Sequence, residues 1–303
     1  MTKGKTKMQS VRALGLAVSV LAISAGAVWA ASGSAIHIER QSWSFGGITG
    51  QYDKAQLQRG FKVYKEVCAA CHGLSQVRFR NLNEPGGPEF DVEGVKALAA
   101  EWPNQIETPD LADDGTIITR VPLASDPMLG PFRNEKAARA AFNGAYPPDL
   151  SLITKARTIE NHDAWPLHVL QMFKDTLIAY QEAGSDYTYA LLVGYKDKPA
   201  NVELSPGMSY NTAFPGHQIA MAPPLSDGSV EYVEDGEKVP EGVIVPKATL
   251  QQNAKDVTAF LSWAADPSLN ARKQIGWQVM IYLLITTVLL YLGKKKIWAR
   301  AKG

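Results

Sequence analysis

The chain has two cysteines, Cys68 and Cys71, and a histidine, His72, follows directly: Cys68-Ala69-Ala70-Cys71-His72. This C-x-x-C-H spacing constrains the fold more than any other feature. Two thiols so placed reach the two vinyl groups on one edge of a porphyrin, and the adjacent imidazole can then turn under the iron. A chain carrying such a group must fold around it. The competing uses of a cysteine pair do not fit. A structural zinc site needs four ligands, and no other cysteine exists. A redox pair has no use for His72 and expects a βαβ setting, which the pattern lacks. Two cysteines cannot make a multi-disulfide scaffold. The expectation is one covalently attached heme c with His72 as its proximal ligand.

The sixth ligand must come from elsewhere. Outside the terminal segments, the candidates are Met128, Met172, Met208, Met221, His37, His162, His168 and His217. Met172 lies in a helical pattern and reads as packing. Met221 lies in Ile219-Ala220-Met221-Ala222-Pro223-Pro224-Leu225, a loop of small residues stiffened by two prolines. Such a loop holds a thioether in place with little entropy to lose. It also precedes the last soluble helix, as in single-heme class I cytochromes. Met221 is the expected ligand, with Met128 and His217 as the alternatives. His/Met ligation raises the potential and fills both axial positions, which suits electron transfer rather than oxygen or peroxide chemistry.

Both ends of the chain are basic and apolar. A basic stretch ending at Arg12 precedes the apolar run Ala13 to Val28, and Val28-Trp29-Ala30 offers a cleavage site. Residues 1–30 therefore read as a cleaved secretory signal. Near the other end, Gln274 to Gly293 holds no charge. Twenty helical residues span about 30 Å, the thickness of a bilayer's hydrocarbon core. Trp277 and Trp298 sit near its ends, and Lys294-Lys295-Lys296 closes it. Residues 274–293 read as a transmembrane anchor, with 294–303 a basic cytoplasmic tail. The expected topology is a single C-terminal membrane anchor with 31–271 outside the cytoplasm. All 30 acids lie in that body. Of the 31 basic residues four precede it and seven follow it, so the body carries 20 against 30 acids, a net −10. The whole chain's net +1 argues against nucleic-acid binding.

Within the body, helices are expected at Asp53 to Val67, with apolar Leu57, Phe61, Tyr64 and Val67 in register, at Asn134 to Phe142, and at Ala248 to Ala264. Leu150 to Arg157 begins another, and Ala164 to Ala183 and Asp186 to Val193 are helical stretches. Asn83 to Asp126 reads as mostly loop with a short helix at Val92–Ala100. Val230 to Val245 reads as a small hairpin around Glu234-Asp235-Gly236. Gly60 would admit a second helix at close range, so that Phe61 and Tyr64 pack on Phe260 and Trp263. The fold class is mostly α: a class I cytochrome c-like heme domain with large loop insertions and a small β-hairpin, plus one C-terminal transmembrane helix.

Several stretches together resemble the cytochrome c1 family, the c-heme subunit of the cytochrome bc1 complex, in its alphaproteobacterial form. They are Arg59-Gly60-Phe61-Lys62-Val63-Tyr64-Lys65-Glu66-Val67-Cys68, Ala137-Ala138-Arg139-Ala140-Ala141, Asn143-Gly144-Ala145-Tyr146-Pro147-Pro148-Asp149-Leu150-Ser151, the segment from Phe214-Pro215-Gly216 to the Met221 loop, and Ala254-Lys255-Asp256-Val257-Thr258-Ala259-Phe260-Leu261 with the anchor. They run in order from about residue 40 to the end. The resemblance implies residue roles. Met221 falls on the sixth ligand, Pro147 and Pro148 on the segment beside the heme, Arg157 on an arginine that pairs with a heme propionate, and Tyr187 on a tyrosine near the heme. It departs from the family at Thr158 to Ser185, longer than in mitochondrial relatives and expected to be a helical insertion. It also lacks the additional cysteine pair of some bacterial relatives, and has Phe142 where many have Asn.

The function so implied is the electron-transfer subunit of ubiquinol:cytochrome c oxidoreductase. One electron would pass from the Rieske iron–sulfur protein through heme c to a soluble cytochrome c, while cytochrome b oxidises the quinol. The chain itself would contribute no catalytic residue. The acidic body would suit a basic partner. A free-standing membrane-anchored carrier competes, but would usually have a heme domain of about 100 residues. A c-heme peroxidase competes less well, because it needs an open sixth site and commonly two C-x-x-C-H motifs.

Overall fold

The structure, a computed structural model, describes residues 36, 38–112, 115–158, 165–233 and 245–301. The signal segment, His37, His162 and the turn of the hairpin expected at 230–245 lie outside them. In chain order the elements are α1 (Lys54–Glu66), β1 (Leu74–Arg78), α2 (Val92–Ala100), β2 (Ile106–Leu111), β3 (Ile117–Arg120), β4 (Pro127–Met128), α3 (Glu135–Ala141), α4 (Ile153–Ala156), α5 (Trp165–Leu177), α6 (Ala183–Val193), β5 (Ser209–Tyr210), β6 (Gln218–Ile219), α7 (Leu250–Ala265) and α8 (Leu269–Ala301). The strands form two-stranded antiparallel pairs, β1 with β4, β2 with β3 and β5 with β6. The body is therefore mostly helical, as expected.

Its centre is the crossing of α1 and α7. Asp53 caps α1 by accepting from the Gln56 backbone N–H at 2.6 Å, and Thr249 caps α7 by accepting from Gln252 N–H at 3.2 Å. Leu57, Phe61 and Tyr64 share the buried side of α1. The helices touch at Gly60, where an added Cβ would stand 2.1 Å from the Asp256 carbonyl oxygen and 2.8 Å from Phe260 Cβ. That contact puts the Phe61 and Phe260 rings 5.5 Å apart and edge to face, with Tyr64 5.8 Å from Phe260. Trp263 lies tilted against Phe260 at 5.5 Å. The same crossing buries a charge. Asp256 is fully buried and accepts from Arg59 Nε at 2.8 Å, Gln56 at 3.1 Å and Gln252 at 2.9 Å, so its oxygens are satisfied.

Two expectations need correction. The stretch Asn83 to Asp126 holds the expected helix α2, capped by Asp91, but also the hairpin β2–β3, so it is not otherwise all loop. The stretch Ala164 to Ala183 is not one helix. α5 stops at Leu177, because Ala179 takes a positive φ of 53°. Tyr180 N–H then bonds the Asp175 carbonyl and Ala179 N–H the Thr176 carbonyl, the Schellman pattern of helix ends. The next helix, α6, begins at Ala183, three residues before the expected Asp186.

Asp266 ends α7 and joins it to α8. Arg272 grips the Asp266 carboxylate with two 2.8 Å hydrogen bonds, and Lys155 lies at 3.4 Å. α8 then runs unbroken through Gln274 to Gly293 and the lysines beyond. Its most apolar window has a mean hydropathy of 1.9, and none of that window is buried against the body. It is a membrane-span candidate by length, composition and exposure, not a core helix.

Candidate heme site

The motif follows α1 directly. Cys68 to Ala70 form a 3-10 turn, closed by Cys71 N–H to the Cys68 carbonyl at 3.1 Å and His72 N–H to the same oxygen at 2.8 Å. Both thiols and the imidazole therefore sit on a single turn. Burial, and to a lesser degree the neighbouring Cys71, push the Cys68 thiol up to about 12. It is a neutral thiol, unlike the low-pKa thiolates of redox or metal-binding cysteines.

His72 is oriented by its second nitrogen. Nδ1 lies 2.7 Å from the Pro148 carbonyl, which can only accept, so Nδ1 donates and Nε2 keeps its lone pair. Burial also lowers the imidazole's pKa, against the Pro148 hydrogen bond and the Asp149 charge, and favours the neutral ring. Tyr64 OH donates to the His72 carbonyl at 3.1 Å, joining the motif to the core of α1.

The segment from Pro147 to Ser151 is stitched alongside. Leu150 N–H donates to the Gly73 carbonyl at 2.9 Å, Ser75 N–H to Asp149 Oδ2 at 2.8 Å, and Gln76 N–H to Ser151 Oγ at 3.1 Å. Asp149 Oδ1 also accepts from Ser151 N–H at 2.8 Å. Three successive attachments thus hold the Pro148 carbonyl against His72. On the other side Gly73 meets Gly130 so closely that a Cβ would stand 2.6 Å from the Gly130 nitrogen.

Met221 is half-buried in the loop after β6, and Tyr195 OH donates to its carbonyl at 3.1 Å. The alternatives are engaged elsewhere. Met128 is fully buried, opposite Leu74 across the β1–β4 pair, and belongs to the main core. His217 has a φ of 59°, places Nδ1 3.1 Å from the Asn211 carbonyl and tilts over the Tyr210 ring at 5.6 Å. Met172, expected to pack, is 58% exposed on α5.

Arg157 and Tyr187 are brought together by another close contact. A Cβ on Gly184 would stand 1.9 Å from the Thr154 carbonyl and 2.5 Å from that of Arg157, so α6 lies directly on the end of α4. Tyr187 is buried on α6, and burial raises its pKa against the lowering effect of the Arg157 charge. The Arg157 side chain is exposed.

The donor set fits a heme c: two thiols at the thioether spacing, an imidazole with Nε2 available, and a thioether on a pinned loop. Among the described residues no group of three or more His, Cys, Asp or Glu could hold a bare metal ion. Sequence reasoning missed Asp149 and Ser151 as supports, though the Asp and Ser beside two prolines are typical turn formers. It also missed Tyr195, which carries no local signal because its acceptor is a main-chain oxygen 26 residues away.

The family model described as the Cytochrome C1 family matches residues 43–301. Cytochrome c1 of Blastochloris viridis is 43% identical over 296 residues, covering 98% of each chain. Cytochrome c1 of Rhodospirillum rubrum is 39% identical, covering 96% of this chain and 97% of that one. Cytochrome b/c1 of Bradyrhizobium diazoefficiens is 47% identical over 258 residues, 85% of this chain but 35% of that protein. The match runs from the loop before α1 through the thiol–imidazole turn and the Met221 loop into α8: the chain belongs to the cytochrome c1 family.

Proposed function

We propose that the chain is the heme c subunit of a bacterial bc1-type quinol:cytochrome c oxidoreductase, held in the inner membrane by α8. The observation that carries this reading is the turn at Cys68–His72, with Nδ1 of His72 committed to the Pro148 carbonyl and Nε2 left as donor. Heme c, when bound, supplies a one-electron couple. The residues do the rest. Cys68 and Cys71 would tether the porphyrin edge, His72 and Met221 would ligate the iron, and Pro147 and Pro148 would pack beside the ring. The exposed Arg157 side chain would offer its charge to a propionate, with Tyr187 beside it. With His72 and Met221 both committed to the group, it would exchange electrons rather than take up oxygen or peroxide. No residue of this chain moves a proton in that step, so quinol oxidation falls to another subunit.

Cytochrome b is that subunit in this reading, supported by the Bradyrhizobium relative, whose name joins b and c1 in one chain. The Rieske iron–sulfur protein is the electron donor and a soluble cytochrome c the acceptor. Residues 1–30 direct export, 31–271 form the periplasmic heme domain, and the lysines after Gly293 stay in the cytoplasm. Purification from membranes in mild detergent tests the assembly. A b-type cytochrome and an iron–sulfur protein should accompany the chain. Recovery of the chain alone, fully hemylated and active as a carrier, would support a free-standing cytochrome instead.

A further inference from the structure

Helix α5 carries an apolar side that none of the described residues covers. Val169, Phe173 and Leu177 recur every four residues with Leu170 beside them, and Leu170, Phe173 and Leu177 are 65%, 64% and 78% exposed. The opposite side faces the body. There Asp175 receives both guanidinium nitrogens of Arg40 at 2.9 Å, and Gln171 donates to Asp175 at 3.1 Å. Arg40 in turn lies over the Tyr180 ring at 3.8 Å, just past the end of the helix. At about 100° per residue, the centre of the apolar stripe falls nearly opposite Gln171 and Asp175. The helix is clamped with its apolar side turned outward.

That side is continuous with the point where α8 leaves the body. The Ile178 carbonyl lies 3.8 Å from where a Cβ on Gly47 would stand. The next residue, Ile48, is 52% exposed and lines a cleft of about 460 Å³ with Lys273, Gln274 and Trp277 at the start of the charge-free span. Lys273 Nζ donates to the carbonyls of Phe45 at 2.6 Å and Gly50 at 3.0 Å, fixing this loop against the anchor. Exposed apolar surface thus runs from Trp277 through Ile48 and Ile178 to Leu177 and along α5. Contiguous apolar surface of this kind on a soluble face marks an interaction site. Here the surface it adjoins is the one that enters lipid.

We propose that α5 lies in the interface of the bilayer that α8 crosses, with Phe173 and Leu177 among the upper acyl segments and Gln171 and Asp175 turned toward the body. A helix with one apolar side and an opposite polar side is built for that position. The proposal rests on α8 being a membrane span, and the test checks that separately.

The full-length, heme-loaded chain without other subunits would be reconstituted into vesicles of phosphatidylcholine and phosphatidylglycerol. Single nitroxide labels would be placed through Phe173→Cys, Leu177→Cys, His168→Cys on the polar side of α5, and Leu284→Cys in the anchor. Power saturation would compare relaxation by oxygen with relaxation by a water-soluble nickel complex. The ratio at 173 and 177 should be several-fold above that at 168 and approach that at 284. Equal ratios at 168, 173 and 177 would overturn the proposal. Exclusion of both reagents at 173 and 177 would overturn it too, because it would mean burial against protein, such as a second copy. A low ratio at 284 would instead overturn the anchor reading.

Discussion

His72 makes one side-chain hydrogen bond that orients its ring: by donating from Nδ1 to Pro148, it leaves the Nε2 lone pair available to a metal. The motif was legible because thioether attachment needs that spacing, whereas the carbonyl that orients the ring comes from 76 residues away. For Met221 as the proposed second ligand, Met221→Leu should abolish the weak near-infrared sulfur-to-iron band and lower the midpoint potential, since a thioether ligand raises it. An unchanged band would assign the ligand to another residue. Tyr195→Phe tests the support. It removes one hydrogen bond to the Met221 carbonyl, worth about 1 kcal/mol. The band should survive in buffer but be lost at lower guanidinium concentration than in the parent protein. Identical denaturant curves would show that Tyr195 does not position the loop.

At the scale of elements, helices with clear caps and periodic apolar faces were legible. α2 is found at Val92–Ala100 as expected, and α1 and α7 lie within two residues of their expected ends. The failures have local causes. β2 contains Pro109, which removes a ladder donor and argues against a strand, and its register shifts between Glu107 and Leu111. α5 ends on Ala179 in the left-handed region, where glycine or asparagine would have marked the stop. The sequence did not single out Asp256, because its partner Arg59 lies 197 residues earlier. Gly60 was legible as a contact, and its role makes a prediction. In Gly60→Ala the new Cβ meets the main-chain oxygen of Asp256, which cannot rotate away. The α1–α7 crossing must open, at a cost of about 1–3 kcal/mol. Calorimetry of the heme-loaded protein should show a lower melting temperature than in the parent. An unchanged melting temperature would mean that the two helices separate freely.

At the scale of the whole molecule, the heme body and the anchor differ in composition but share a junction. The charge-free run begins at Gln274, yet Arg272 and Lys273 on the first turn of α8 bond to Asp266, Phe45 and Gly50 in the body. A chain exported by its own signal and ending after Gln274 should therefore be soluble and red. One ending at Asn270 should melt at a lower temperature, having lost those bonds. Equal stability of the two would show that the junction contributes nothing. The charge distribution carries a separate consequence. A body with 30 acids against 20 basic residues should draw a basic soluble cytochrome toward it. Exposed charges are screened over about 8 Å at 0.15 M salt. In stopped-flow mixing of the reduced complex with its acceptor, the second-order rate should fall as ionic strength rises from low to physiological values. The internal transfer into the heme, which needs no encounter, should stay constant over the same range. A second-order rate indifferent to salt would make the net −10 a solubility feature and leave the ligation of the heme untouched.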